Sequence, residues 1–129
     1  MQVFEKDILV SENDLDQLQH VNNVRYVQWV QDMAEAHWLS RANDHILNNY
    51  FWVLIDHHIQ YKGEAKLGET VTAKTYVASS EGVISTRVVE MFHKESDKLI
   101  VKSVTKWCLM DMGSKRPSRI TTELKELFE

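Results

Sequence analysis

The chain has 129 residues, of which 43% are hydrophobic and 26% charged, and its formal net charge is −4 at pH 7. This composition is typical of one globular domain, and the negative charge excludes a general attraction to nucleic acid or acidic membranes. The single cysteine, Cys108, excludes an internal disulfide framework and favours a cytoplasmic location. Neither a signal peptide nor a membrane span is predicted, because no apolar run approaches the ~20 residues that a span needs.

The first part of the chain predicts one strand followed by one long helix. Residues 2–10 predict the strand, and residues 11–20 are polar and predict a turn. Residues 23–43 contain no Pro or Gly, and apolar side chains recur there at spacings of three and four. This spacing predicts a helix with a wide buried face. Residues 44–50 predict a polar connector.

The second part of the chain predicts four strands and a short final helix. Apolar side chains alternate with period two in four segments, residues 51–61, 71–78, 83–93 and 99–110. Residues 79–82 and 94–98 predict the turns between the last three strands, and residues 121–129 predict a helix that begins at a threonine cap. A helix followed by a run of strands predicts an α+β domain with a mostly antiparallel sheet, the four later strands forming a meander.

Short polar side chains are concentrated directly before the long helix. They are Asp14, Asp16, Gln17, Gln19, His20, Asn22 and Asn23. Asp and Asn are favoured at helix starts because they accept hydrogen bonds from the unpaired N–H groups of the first turn, but one cap needs only one or two of them. The same N–H groups and the helix dipole stabilise an oxyanion, beside which a carboxylate can attack a carbonyl carbon or activate water. The segment therefore predicts either a set of caps or a site that acts on an activated ester.

The segment from residue 14 to residue 29 resembles the signature of hotdog-fold acyl thioesterases of the 4-hydroxybenzoyl-CoA thioesterase type. Its DLD and QHVNNVRY stretches are closer still to those of the plant acyl-ACP thioesterases. The resemblance extends over residues 60–69 and 115–120 and implies a hotdog fold, a five-stranded antiparallel sheet wrapped around one long central helix. A single hotdog domain is expected over residues 1–129.

The resemblance also implies roles for individual residues. The catalytic carboxylate of the family corresponds to Asp16, the histidine used by the plant enzymes matches His20, and their glutamate after the second strand matches Glu64. The plant enzymes have Asn two residues before the histidine, where this chain has Leu18, and bacterial relatives often have Gly where Gln19 stands. The plant enzymes join two hotdog units in one chain. A single unit is therefore expected to pair with a copy of itself, as a dimer or a dimer of dimers.

The implied reaction is hydrolysis of a fatty or aromatic acyl-CoA or acyl-ACP thioester to the free acid and a thiol. In the implied mechanism the carbonyl oxygen lies against backbone N–H groups of Asn22, Asn23 and Val24, and Asp16 acts as nucleophile or general base. Asp14 is expected to be a turn residue. Since a thiolate is a good leaving group, neither a metal nor an organic cofactor is expected.

A basic cluster near the C-terminus is the best local candidate for binding the phosphates of CoA or of phosphopantetheine. It consists of Lys115, Arg116 and Arg119, three positive groups within five residues. A plain charged loop is the alternative interpretation.

Other interpretations of the sequence are weaker. His57 and His58 suggest a metal site, but neighbours on a strand point to opposite faces, and no zinc spacing accompanies them. Cys108 is expected to be a core thiol, and no serine lies in a G-x-S-x-G setting. A hotdog module that binds acyl thioesters without cleaving them is the main alternative function, and a hotdog hydratase is another. The presence of Asp16, His20 and Glu64 together favours the enzyme.

Overall fold

The computed structural model describes residues 1–129 as one sheet and three helices. The strands are β1 (Phe4–Leu9), β2 (Tyr50–Tyr61), β3 (Thr70–Glu81), β4 (Ile84–His93) and β5 (Leu99–Asp111). The helices are α1 (Asn23–Arg41), α2 (Asp44–Asn49) and α3 (Thr122–Glu126), and a 3-10 turn spans Glu12–Asp14. No helix combines the length and apolar character that a membrane crossing requires.

The strands form one antiparallel sheet in the order β1-β3-β4-β5-β2. The last three strands form a meander as predicted, but the predicted pairing of β2 with β3 is wrong, because β2 lies at the sheet edge and pairs with β5. A period-two pattern identifies which side chains share a face and carries no information about which strands are neighbours. The predicted turn at residues 79–82 is shorter than expected, since β3 continues to Glu81 and Gly82, at φ +62°, makes the reversal.

Helix α1 carries the apolar face predicted for it. Its buried residues are Tyr26, Trp29, Val30, Met33, Ala34 and His37, which recur at spacings of three and four along one side. Most of them pack against buried residues of β3, β4 and β5, among them Val71, Val89 and Val101. This arrangement of five strands and one long buried helix confirms the predicted α+β class and hotdog fold.

The segment after α1 differs from its prediction. Helix α1 ends at Arg41, and residues 44–49 form the short helix α2 instead of an irregular connector. The side chain of Asn43 accepts a hydrogen bond from the N–H of Ile46, which caps α2, and the Ile46 side chain is buried. Burial of Ile46 with Leu109, Ile120 and Leu124 in a second apolar cluster stabilises a helix too short and polar to be recognised from periodicity.

Candidate active site

The polar loop before α1 is fixed to the segment that follows β2. Backbone N–H of Asp16 donates to the carbonyl of His20 at 2.8 Å, and the N–H of Val21 donates to the carbonyl of Ala65 at 2.9 Å. Isolated bridges also pair Leu15 with Val21 and His20 with Lys66. These contacts bring two distant parts of the sequence side by side at one end of the sheet.

Asp14 is the turn residue that the sequence predicts and is also part of an ion pair. Its carboxylate accepts hydrogen bonds from the N–H and Oγ of Ser11 and from the Nε of Arg25 at 2.8 Å. Nη2 of Arg25 lies equally close, at 2.8 Å from the same oxygen. Burial raises the pKa of Asp14, but the hydrogen bonds from Ser11 and Arg25 outweigh it and hold the pKa below its ordinary value. The residue therefore ties the loop to the first turns of α1.

Asp16 presents one carboxylate oxygen that is bound by the loop and one that is free. Oδ1 accepts hydrogen bonds from the N–H groups of Leu18 at 2.9 Å and His20 at 3.2 Å. Oδ2 has no hydrogen-bond partner in the chain, and the residue is half-buried. Gln19 closes the turn with φ +64°, a left-handed conformation that glycine adopts more easily. The backbone thus orients the carboxylate through one oxygen and leaves the other available.

His20 and Glu64 come together although 44 residues separate them in the sequence (64 − 20). Nδ1 of His20 lies 2.9 Å from Oε2 of Glu64. The side chains are 31% and 53% exposed, so the pair faces solvent. With Nδ1 as the donor to the carboxylate, Nε2 of the neutral imidazole is an acceptor that can hold a water or a substrate group. Asp16 is joined to this pair through the N–H of His20.

The backbone at the start of α1 offers one free N–H group. The N–H of Val24 donates to Oδ1 of Asn22 at 3.0 Å, and the N–H of Asn22 donates to the carbonyl of Asp14 at 2.8 Å. The N–H of Asn23, the first residue of the helix, makes no hydrogen bond. Of the three N–H groups expected to receive an oxyanion, that of Asn23 is therefore the one without an internal partner.

The basic cluster of Lys115, Arg116 and Arg119 lies far from this loop within one chain. All three residues are exposed and follow the end of β5, whereas Glu64 lies beside its start, since the neighbouring Gly63 donates to the carbonyl of Ile100. Ser118, the neighbour of Arg119, donates to the carbonyl of Leu109, and a strand rises ~3.3 Å per residue, so the two places lie roughly 30 Å apart along β5. A single chain does not bring the predicted phosphate-binding residues to Asp16.

Three residues to which the sequence assigned no site role support the segment after β2. The hydroxyl oxygen of buried Tyr26 accepts a hydrogen bond from the N–H of Ala65 at 3.1 Å, and burial raises the pKa of Tyr26 to about 12. Oε1 of Glu69 accepts a hydrogen bond from the N–H of Lys66, its Oε2 forms a short pair with Nε2 of His93, and the hydrogen bond from His93 lowers the pKa of Glu69. Tyr26 followed the apolar helix face and was indistinguishable from core. Glu69 lies in the turn before β3 and His93 at the end of β4, so no local pattern relates them.

The remaining candidates occupy structural positions. Nε2 of His57 lies 2.8 Å from Oγ of Ser103, and burial lowers the pKa of His57. His58 is exposed, so the two neighbouring histidines lie on different sides of β2. Cys108 is buried in the sheet as expected. No group of three or more His, Cys, Asp or Glu residues is arranged to hold a metal ion.

Comparison with protein families gives a match over the whole fold. The family described as the acyl-ACP thioesterase N-terminal domain matches residues 1–128. A search of curated proteins by sequence gave no significant match.

Solved structures share the fold at low sequence identity. A 1,4-dihydroxy-2-naphthoyl-CoA thioesterase from Synechocystis superposes with a TM-score of 0.84 at 14% identity, covering 98% of this chain and 95% of that one. YbaW, a probable thioesterase from Escherichia coli, gives 0.82 at 20% identity with coverage of 95% and 94%. The 12:0-ACP thioesterase from Umbellularia californica gives 0.85 at 15% identity, covering 98% of this chain and 51% of the plant chain.

Proposed function

The chain belongs to the acyl-ACP thioesterase N-terminal domain family, and we propose that it hydrolyses an acyl thioester with Asp16 as its catalytic carboxylate. The observation that carries this assignment is the contact between His20 and Glu64, at 2.9 Å, beside the loop that orients Asp16. A carboxylate with one free oxygen, a histidine polarised by a second carboxylate and a free helical N–H meet the needs of acyl transfer to water.

The proposed reaction uses Oδ2 of Asp16 in one of two ways. It attacks the thioester carbonyl, expels the thiolate and forms an anhydride that water then hydrolyses, or it removes a proton from the water that attacks the carbonyl. In both routes the negative charge on the carbonyl oxygen is stabilised by the N–H of Asn23 at the positive end of the α1 dipole. Nε2 of His20 orients the attacking water, and Glu64 holds the imidazole in the tautomer that leaves Nε2 unprotonated.

The proposed substrates are fatty or aromatic acyl thioesters of CoA or of acyl carrier protein. Two solved structures with the same fold act on different carriers, one on an acyl-CoA and one on an acyl-ACP. Lys115, Arg116 and Arg119 are the proposed partners of the carrier phosphates. Since they lie at the far end of β5 from Asp16, this role requires a second copy of the chain.

A homodimer through β2 would supply that second copy. Strand β2 pairs only with β5, so the backbone groups on its other side are unpaired, and its Val53 and Ile55 are 41% and 53% exposed. Antiparallel pairing of two β2 edges sets the Tyr50 end of one strand beside the Tyr61 end of the other. The basic cluster of one protomer then lies toward the Asp16 loop of its partner. Sedimentation should give twice the mass of the chain or four times it, and a monomer would contradict this assembly.

The test of the catalytic assignment is the Asp16→Asn variant. Asparagine keeps an oxygen that can accept from the N–H groups of Leu18 and His20, so the loop should keep its shape. We expect kcat/KM to fall about 1000-fold, in the range seen for loss of a general base or nucleophile. Release of thiol from a panel of acyl-CoA and acyl-ACP substrates of several chain lengths measures this and identifies the preferred carrier.

The matched control is Asp32→Asn, because Asp32 lies exposed on α1 and its side chain hydrogen-bonds only with that of Gln28. It should keep full activity. Undiminished hydrolysis by the Asp16→Asn variant would refute the catalytic role. Binding of acyl-CoA by the unaltered protein without any turnover would indicate a module that holds thioesters.

The proposed location is cytoplasmic, supported by the single, buried and unpaired cysteine.

A further inference from the structure

A cavity of about 490 Å³ lies between the second half of α1, α2 and the ends of β2, β4 and β5. Six large aromatic side chains line it, those of Trp38, Tyr50, Phe51, Trp52, Trp107 and Phe128. Its volume is in the range of ~300–1,000 Å³ that small-molecule sites occupy. A helix rises ~1.5 Å per residue, so Trp38 lies about 20 Å along α1 from Asn23 and the Asp16 loop. The cavity is therefore separate from the proposed catalytic loop of the same chain.

One buried cation, Arg87 of β4, reaches this apolar cavity and is only 5% exposed. Its Nη1 donates to Nδ1 of His37 at 2.9 Å and to Oγ1 of Thr75 at 3.0 Å. A guanidinium has five N–H donors, and these two bonds use only those of Nη1. Nε and Nη2 make no hydrogen bond within the chain. Neither atom is fully buried, because Nδ1 of His93 is the only fully buried side-chain nitrogen or oxygen that lacks a partner. Since Arg87 is one of the residues that line the cavity, this unused edge is available to a ligand there.

No group of the chain neutralises this cation. Arg87 takes part in none of the ion pairs, which join other residues. Burial lowers the pKa of Arg87 to about 10, so it stays charged at neutral pH. Burial lowers the pKa of His37 to about 4, so its imidazole is neutral and accepts from Arg87. The ring of Phe128 lies 5.3 Å from the guanidinium and offers a weak cation–π contact.

Glu35 is the one acidic residue at the cavity wall, and its side chain is exposed to water. It forms no ion pair with Arg87. A buried cation that lacks an anion is costly, and a ligand that supplies the anion offsets this cost. Nε and Nη2 form one edge of the guanidinium fork, whose spacing matches the two oxygens of a carboxylate.

We propose that this cavity binds an apolar organic acid, with the carboxylate on Nε and Nη2 of Arg87 and the chain or ring against the aromatic wall. Two kinds of molecule supply such a carboxylate on an apolar chain. The carboxylate belongs either to a free acid, such as the acid that thioester hydrolysis releases, or to the far end of an acyl group that is still attached to its carrier. The second source requires the β2 dimer, which turns the Asp16 loop of one protomer toward the cavity of its partner.

The first experiment titrates the full chain with dodecanoate and with dodecanol, which has the same chain and no charge. Trp38, Trp52 and Trp107 line the cavity, so intrinsic fluorescence reports its occupation. We expect a saturable change with dodecanoate, below its micelle-forming concentration, and binding of dodecanol weaker by roughly tenfold or more, since a charged hydrogen-bonded pair is lost. Equal binding of the two ligands, or no saturable change with the acid, would overturn the proposal without recourse to any variant.

Variants then locate the carboxylate. Arg87→Met should bind dodecanoate and dodecanol equally well, and circular dichroism checks that the variant is folded. A folded variant that still prefers the acid would overturn the assignment to Arg87. Asp16→Asn should bind dodecanoate as the unaltered chain does. Because this measurement involves no turnover, failure of acid binding and failure of the proposed hydrolysis are distinguishable. Equal weakening in Asp16→Asn would place the acid at the catalytic loop and overturn the proposal.

The two sources are separated by hydrolysis of dodecanoyl-CoA and of the mono-CoA thioester of dodecanedioic acid. A loss of kcat/KM in Arg87→Met that is confined to the second substrate supports the carboxylate of an acyl group as the ligand. If the ratio of kcat/KM for the two substrates is the same in the unaltered chain and in Arg87→Met, and the titration shows acid binding, the free acid is the ligand.

Discussion

A histidine lies beside a charged side chain near each end of α1, His20 in the loop before the helix and His37 in its last turns, and the two pairs have opposite chemistry. His20 is 31% exposed and faces the carboxylate of Glu64, so its Nδ1 is a donor. His37 is 1% exposed and faces the guanidinium of Arg87, so its Nδ1 is an acceptor. The charge of the neighbour, and not the residue type, determines whether Nδ1 of each imidazole donates or accepts a hydrogen bond. The open end is suited to acid–base chemistry and the closed end to holding a ligand.

Among variants of the two histidine pairs, the largest effect is expected from the pair at the open end. His20→Ala should lower kcat/KM by roughly 100-fold, because general acid–base groups contribute at least that much. Glu64→Gln should have a smaller effect, and the double variant should be no worse than His20→Ala, since Glu64 acts through the imidazole. The thiol-release assay measures all three, with His58→Ala, an exposed histidine of β2, as the control. Losses that multiply in the double variant would show that Glu64 acts independently.

The closed pair should appear as a pH dependence of stability. The folded pKa of His37 is about 4, below its ordinary value of 6.5, so between these values the unfolded chain binds more protons than the folded one. Neutral His37 therefore makes its whole contribution to the free energy of unfolding above pH 6.5. This contribution is lost as the pH falls from 6.5 toward 4. From pH 7 to pH 5 the loss should be about 2 kcal/mol.

Urea unfolding at the two pH values measures this loss. His37→Asn, whose side-chain oxygen can accept from Arg87, should show a flatter pH dependence than the unaltered chain, and His58→Asn should not. If the free energy of unfolding of His37→Asn changes with pH as much as that of the unaltered chain, the buried imidazole titrates as it does in the unfolded chain.

A third prediction concerns the support of the open end. Arg25→Met removes two contacts of 2.8 Å to the buried carboxylate of Asp14 and leaves those from Ser11. We expect unfolding at pH 7 to become easier by about 1–2 kcal/mol, the range of a charge-assisted hydrogen bond. Urea unfolding checks this, with exposed Arg119→Met as the control, expected within about 0.5 kcal/mol of the unaltered chain. Equal stability of both variants would show that Ser11 alone satisfies Asp14.

The smallest expected effect is at Gln19. Gln19→Gly relieves the left-handed conformation at φ +64° but adds backbone entropy to the unfolded state, so the net gain in stability should be about 0.5 kcal/mol. Gln17→Gly, at a neighbouring position without positive φ, has only the entropic cost and should destabilise by a similar amount. Thermal unfolding of the two variants compares them. A destabilised Gln19→Gly variant would indicate that the glutamine side chain supports the loop.

Prediction from sequence succeeded where a pattern is local. The spacing of apolar residues from Tyr26 to His37 follows from 3.6 residues per turn, and it identified α1 and its buried face. Asp16 and His20 lie in one short motif, so a resemblance over a few residues predicts both as site residues, a prediction that the Asp16→Asn and His20→Ala variants test. The neighbours of β2 and the helix α2 were missed, because sheet order and the burial of Ile46 depend on residues distant in the chain.

The sequence by itself determined the strands, the long helix, the motif that leads into it and the family to which the chain belongs. The tertiary structure decided which groups meet. It placed Glu64 against His20, left the N–H of Asn23 as the free donor at the helix start, and separated the basic cluster from the loop by the length of β5. It also buried Arg87 without an anion in an aromatic cavity. The physical reason is that period and motif are properties of neighbouring residues, whereas pairing, burial and charge balance arise only when distant segments pack together.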